Sequence, residues 1–119
     1  MGKKILIVDD VPFMRQMLSV VLSRNGYDLV QAEDGQVAVD MFAIEKPDLV
    51  IMDIKMHNMN GIEAVSIITK NYPHAKVIIC SEMGQEAMVV EAIRLGVLDF
   101  LVKPYTEDKI LKSVCKILG

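Results

Sequence analysis

The residues that could do chemistry sit in a regular relation to the apolar ones. The pair Asp9-Asp10 follows the run Ile5–Val8, Asp53 follows Leu49–Met52, Ser81 follows Val77–Cys80, and Lys103 follows Phe100–Val102. Like charges about 4–6 Å apart raise one another's pKa unless something positive sits among them, so three acids brought together call for a cation. Magnesium meets that need, because it takes oxygen ligands, keeps several waters and commonly binds one or two carboxylates plus a phosphate. Calcium prefers a denser oxygen cage, and no loop supplies one. A carboxylate can itself attack phosphorus and form an aspartyl phosphate. The metal and the Lys103 ammonium would then neutralise the equatorial oxygens, and catalysis would be mostly positioning plus electrostatics. Other chemistries are poorly provided for. His57 and His74 lie in loop-like segments with no Ser or Cys placed to form a triad, and neither a GxxxxGKS/T nor a GxGxxG phosphate loop is present.

The elements that must position these residues follow from the hydrophobic pattern. The four runs are continuous rather than alternating, as expected of strands covered on both faces. Asp28–Ala32 is a weaker fifth strand, nearer an edge. Helical patterns lie between them. Pro12 suits a first turn, Phe13, Met14, Met17, Leu18, Val21 and Leu22 form a stripe, and Gly26 suits the stop. Further helices are expected over about 35–45, 61–71, 85–95 and 106–118, the fourth closed by Gly96. Alternation of this kind predicts an α/β fold, a doubly wound five-stranded parallel sheet with right-handed crossovers and five helices on its two faces. In such sheets the site forms beyond the carboxyl ends of the strands, where strand order reverses. With the order 2-1-3-4-5, the first and third strands are neighbours, and Asp9, Asp10 and Asp53 crowd together.

Composition narrows the setting. With 119 residues, no linker rich in Gly, Ser or Pro, and no repeat of fixed period, one domain over 1–119 is expected. Thirteen basic against sixteen acidic residues give a net charge of -3, which does not create the field of a nucleic-acid binder. The longest apolar runs have four residues, far short of the roughly 18 that a bilayer span needs. Strand-like sequence begins almost at Met1, which leaves no room for a leader. Cys80 and Cys115 lack metal-ligand spacing and are expected to be buried free thiols in a reducing, cytoplasmic setting. Met1 and the short end at Gly119 favour a complete chain.

Taken together, the acidic pair, the central Asp53 in Val50-Ile51-Met52-Asp53-Ile54-Lys55-Met56, the Ser81 end and Phe100-Leu101-Val102-Lys103-Pro104 resemble the receiver domain of two-component response regulators over essentially the whole chain. Within it the resemblance is greatest to the single-domain chemotaxis members. It rests there on Phe13-Met14-Arg15 and on Cys80 to Gln85 followed by Ala87-Met88-Val89. The resemblance implies a flavodoxin-like three-layer sandwich. It implies that Asp53 accepts phosphate from a CheA-like sensor histidine kinase, with Mg2+ held by Asp10 and Asp53, by Asp9 through water, and by the backbone carbonyl of Lys55. Lys103 and Ser81 would contact phosphoryl oxygens, and Ser81 moving inward would let Phe100 rotate in. That would reshape the face of the fourth helix, fifth strand and fifth helix, where a flagellar motor switch protein or other target binds. Pro104 would shape the fifth loop through a cis bond. A phosphatase is a further possible partner, while DNA and membrane are not expected. The protein would be a monomer, and a signalling switch rather than an enzyme.

Two departures from the family pattern stand out. His57 occupies the place of a usual proline, which predicts a less rigid loop and adds a group that titrates near neutrality. Glu82 replaces a usual alanine or glycine and adds bulk and negative charge beside the phosphoryl site. Lys55 and Met83, each two residues past Asp53 and Ser81, occupy variable positions that tune phosphate lifetime. Several plainer roles compete. Asp9-Asp10 could cap the first helix, Phe100 could be core, and Met88 with Val89 could form an adaptable partner surface. Among whole functions, the alternatives are a phosphorelay intermediate that passes phosphate to a histidine phosphotransferase, a phosphate-independent pseudo-receiver, and a small Mg2+-dependent phosphohydrolase. The last is disfavoured because no cap domain or substrate loop is present.

Overall fold

The computed structural model describes residues 2–119. Five strands, β1 (Lys4–Val8), β2 (Asp28–Ala32), β3 (Leu49–Asp53), β4 (Val77–Ser81) and β5 (Asp99–Val102), alternate with five helices. These are α1 (Pro12–Ser23), α2 (Gly35–Glu45), α3 (Gly61–Asn71), α4 (Glu86–Leu95) and α5 (Glu107–Leu118). The strands are all parallel, as the alternation implied, and their order is β2-β1-β3-β4-β5.

The core lies in two layers, one on each face of the sheet, because successive strand residues point to opposite sides. Leu6, Val8, Val50, Met52, Val77 and Ile79 face α2, α3 and α4, where Phe42, Ala64, Val65, Ile68 and Ala92 meet them. Ile5, Ile7, Leu49, Ile51, Ile78 and Cys80 face α1 and α5, against Leu18, Leu22, Ile110 and Val114. β1, β3 and β4 are therefore buried almost throughout, which explains their unbroken apolar runs. β2 and β5 form the two edges and are partly exposed. Among the described residues, no helix is long and apolar enough to cross a membrane.

Local sequence fixes where the helices begin. Pro12 opens α1, Asp34 caps α2 by accepting from the Val37 N–H at 2.9 Å, and Thr106 caps α5 at 3.2 Å. Asn60 and Glu63 close a reciprocal capping box on α3. Gly96, with φ of +107°, ends α4 in the left-handed region that an L side chain disfavours.

Two expectations and one competing reading need correction. β3 and β4 run one residue further than their apolar stretches and end on Asp53 and Ser81, because backbone pairing continues past the last apolar side chain: Asp53 is registered with Cys80, and Ser81 with Val102. Cys80 is buried, but Cys115 is exposed. On α5 the inward positions are Ile110, Ser113 and Val114, so the next residue turns away from the sheet. Finally, Asp9 and Asp10 do not cap α1. Val11 is its N-cap and gives no side-chain bond; Asp9 Oδ1 instead accepts from the Val11 N–H at 2.9 Å, within the turn leaving β1.

Candidate functional site

Parallel strands place their carboxyl ends on one edge of the sheet, and the register decides which side chains meet. Val8 lies beside Met52 and Met52 beside Ile79, so the residues that follow Val8 and Met52 emerge together. The carboxylates of Asp9, Asp10 and Asp53 gather there, each offering an oxygen within 4.8 Å of the others. Lys103 arrives from the end of β5, with its Nζ 3.1 Å from Asp53 Oδ1 and 3.5 Å from Asp9 Oδ2. Its backbone N–H donates to the Ser81 carbonyl at 2.7 Å, so the loops after β4 and β5 are coupled at the site. The Lys103–Pro104 peptide is cis, as expected.

Burial sets the electrostatics. Asp53 and Asp9 are buried, while the Asp10 side chain remains 19% exposed at the mouth. Burial, and then the charge of Asp9, push the Asp53 carboxyl up to about 6 against the pull of Lys103. Burial would lower the Lys103 ammonium, yet Asp53 and Asp9 outweigh it and hold Lys103 above its usual range. One lysine thus faces two buried acids with a third alongside, an imbalance of negative charge. The donor set is all oxygen and fits a hard divalent ion such as Mg2+ rather than a softer metal.

The other residues singled out by sequence lie around this cluster. Ser81 is buried at the end of β4. Lys55 and His57 are exposed in the loop after β3, with His57 Nε2 3.5 Å from Asp10 Oδ2. Glu82 and Met83 are exposed, Met83 at 85%. Both line a cleft of about 560 Å3 with Met14, Met17, Lys103, Pro104 and Tyr105. They also border a groove of about 480 Å3 between α4 and β5, together with Ser81, Val89, Val90, Ile93, Phe100 and Val102. Phe100 is 43% exposed and faces that groove rather than the core. Met88, by contrast, leans on the interior, and the large exposed apolar residues of α4 are Val90 and Ile93. Another cavity, about 630 Å3, lies at the opposite end of the molecule among Lys3, Phe42, Lys46, Tyr72 and Lys76, away from the acid cluster.

Sequence reasoning passed over three residues. Arg15 sends its Nη1 to the Asp9 carbonyl at 2.6 Å and its Nε to Gln31 at 3.2 Å, which fixes the acidic loop from the α1 side. Arg15 had appeared only as part of a motif; a cation one turn into a helix that follows an acidic pair was the available signal. Asp34 and Asn58 are joined at 2.9 Å across the loop after β3, and nothing in the local sequence of either predicts the other.

Comparison with known proteins agrees with this geometry. The family model described as "Response regulator receiver domain" matches residues 5–115. The chain is 48% identical over 118 residues to the chemotaxis protein CheY of Thermotoga maritima, covering 98% of each. It is 45% identical to CheY of Bacillus subtilis, with all of both chains aligned. Among solved structures, a CheX–CheY complex of Borrelia burgdorferi containing BeF3 and Mg superposes with a TM-score of 0.93 at 32% identity. That match covers 98% of this chain and 90% of the other. On sequence, fold and the acid–lysine cluster at its strand ends, the chain belongs to the response regulator receiver domain family and is of the CheY type.

Proposed function

We propose that residues 1–119 act as one phosphorylation-controlled signalling unit in which Asp53 is the phosphoacceptor. The observation that carries this reading is the placement of the Asp53 carboxylate 3.1 Å from Lys103, among two further acids, at the open end of the sheet. Asp53 Oδ attacks the phosphorus of a phosphohistidine on a sensor kinase. The P–O bond forms as the P–N bond breaks, and the leaving imidazole takes up a proton. Asp10 and Asp53, Asp9 through water and the Lys55 carbonyl would hold Mg2+, which when bound would supply positive charge near the phosphoryl oxygens. Lys103 pairs with one of those oxygens and the Ser81 hydroxyl with another. The group adds about -1.5 to -2 of charge and strong acceptors beside Ser81, which biases the position of Phe100 in the α4–β5 groove.

That groove is where we place the target, a flagellar motor switch protein by analogy with the chemotaxis relatives. A CheA-like kinase and a phosphatase complete the proposed set of partners, and the CheX–CheY complex of Borrelia burgdorferi is a precedent for a CheY relative binding a second protein. The protein works as a monomer in the cytoplasm, as a switch that assists its own phosphorylation and dephosphorylation rather than as an enzyme acting on other substrates. Incubation with a small phosphodonor and Mg2+ should add one phosphoryl group to the intact mass, and chelating the metal should prevent it. No mass increment under either condition would end this reading.

Glu82 lies beside the cleft that a donor must enter, and its negative charge opposes that of the donor. Replacing Glu82 with Ala is expected to speed phosphorylation by acetyl phosphate roughly fivefold, the equivalent of about 1 kcal/mol for a solvent-exposed charge a few ångströms away. Added salt should shrink the difference by screening it. An unchanged initial rate at low ionic strength would show that Glu82 does not gate small donors.

A further inference from the structure

The loop that leaves β3 at Asp53 returns to α3 at Gly61, and it is tied at two points to the segment that leads from β2 into the first turn of α2. Asn58 Nδ2 donates to Asp34 Oδ2 at 2.9 Å. The Gly35 N–H donates to the Met59 carbonyl at 3.0 Å, and a Cβ at Gly35 would lie 2.3 Å from that oxygen, so the two backbones are in direct contact. The same β2–α2 segment also reaches the first acidic loop, since the Asp9 N–H donates to the Ala32 carbonyl at 3.2 Å. One short stretch, 32–35, thus touches both halves of the acid cluster. It holds Asp9 by backbone, and the loop after Asp53 both by the Asp34 side chain and by the Gly35 N–H.

Asn58 is suited to its part. Its φ is +62°, in the left-handed region, where the short polar side chain of Asn is tolerated better than most. Asp34 is buried and divides its two oxygens, Oδ1 capping α2 through Val37 and Oδ2 receiving Asn58. The Val37 N–H, and then the Asn58 amide, hold the Asp34 carboxyl below its usual range, so the contact is charge-assisted at neutral pH. His57, the residue just before Asn58, lies 3.5 Å from Asp10. Where the sequence predicted a loose loop at His57, the structure has a tether one residue later.

We propose that Asp34 and Asn58 are a positioning pair that holds the loop after Asp53 in register with Asp9 and Asp10, and so sets the affinity of the site for Mg2+. The inference rests on the phosphoacceptor reading above. Both residues act through the loop and touch neither metal nor phosphoryl group. Partners that orient metal ligands from behind are worth about 10- to 100-fold in affinity, and this pair falls at the lower end because backbone bonds share the task.

The test uses substitutions that spare everything except the tether. Asp34→Ser keeps an oxygen to cap α2, and Asn58→Gly keeps the positive φ without strain. Each should raise the Mg2+ dissociation constant, measured by calorimetry well below the unfolding temperature, by roughly tenfold. The double variant should be no weaker than either single one, as expected of a coupled pair. Amide exchange over 54–60 in metal-free protein should quicken in step, and Asp34→Asn, able to cap and still meet Asn58, should recover part of the affinity. If Asp34→Ser fails to fold, Asn58→Gly carries the test alone. Unchanged Mg2+ affinity in variants that fold, or full additivity in the double variant, overturns the proposal. A native protein that binds no Mg2+ would instead remove the reading on which the proposal rests.

Discussion

Asp53→Asn should take up no phosphoryl group under conditions that phosphorylate the native protein, and in metal-free buffer at pH 7 it should also be the more stable of the two. The first result follows from chemistry, because an amide oxygen is a poor nucleophile. The second follows from burial. The folded-state pKa of Asp53 is raised from 3.8 to about 6, so the folded protein holds this proton more tightly than the unfolded chain does. The contribution of the group to stability is therefore undiminished below pH 4, falls as pH rises from about 4 to about 6, and is flat above. A shift of two units corresponds to at most about 3 kcal/mol. That shift already includes the pull of Lys103, and discounting it for residual solvent screening leaves an expected gain of about 2 kcal/mol. Asp34 and Asp99, whose carboxyls lie below their usual range, change stability in the opposite sense with pH, but they do so in both proteins and cancel in the difference. Denaturant melts of the pair from pH 4 to 8 should show the difference opening across that window, and Mg2+ should close it by binding the native site. A variant less stable than the native protein at pH 7, or a difference that ignores pH, would mean that the acid cluster is not under electrostatic strain.

The fold and the centre of the site were legible because one signal served both. Continuous apolar runs marked strands buried on both faces, and the polar residues directly after them had to lie at the carboxyl edge of the sheet. Asp9, Asp53 and Lys103 converge although 44 residues separate the first two and 50 the last two, because parallel pairing brings β1, β3 and the end of β5 to one edge. What stayed hidden depends on rotation about a helix or on the path of a loop. The exposure of Cys115 and the outward Val90 and Ile93 turn on single steps of a helix, smaller than a pattern of apolar residues can resolve. Phe100 alternates outward on an edge strand, so a reading of it as core failed, and the groove it lines was not visible in the sequence. The Asp34–Asn58 contact joins two loops whose approach is set by how α2 and α3 lie side by side, and no local motif encodes that.

The loop after Asp53 carries a second constraint, at its far end, that leads to a large effect from a small change. Gly61 opens α3, where alanine would normally be the better helix residue by about 0.5–1 kcal/mol. Here an added Cβ would lie 2.1 Å from the Asp53 carbonyl oxygen and 2.9 Å from the Ile54 Cα, both backbone atoms. Neither can yield easily, because Asp53 is paired in the middle of the sheet and the Ile54 N–H donates to the Cys80 carbonyl at 3.1 Å. The helix must give way instead, against the burial of Ala64, Val65 and Ile68 and the 2.7 Å bond from the Gly61 N–H to the Ile54 carbonyl. Overpacking of this kind costs about 3 kcal/mol, so Gly61→Ala should lower the melting temperature by roughly 10 °C. Because the displaced contact is the backbone of Asp53 itself, phosphorylation measured well below that temperature should also slow, which loss of stability alone would not cause. An alanine variant that melts with the native protein would mean that α3 does not press on the strand end, and that the carboxylate owes its position to the sheet and to Lys103 alone.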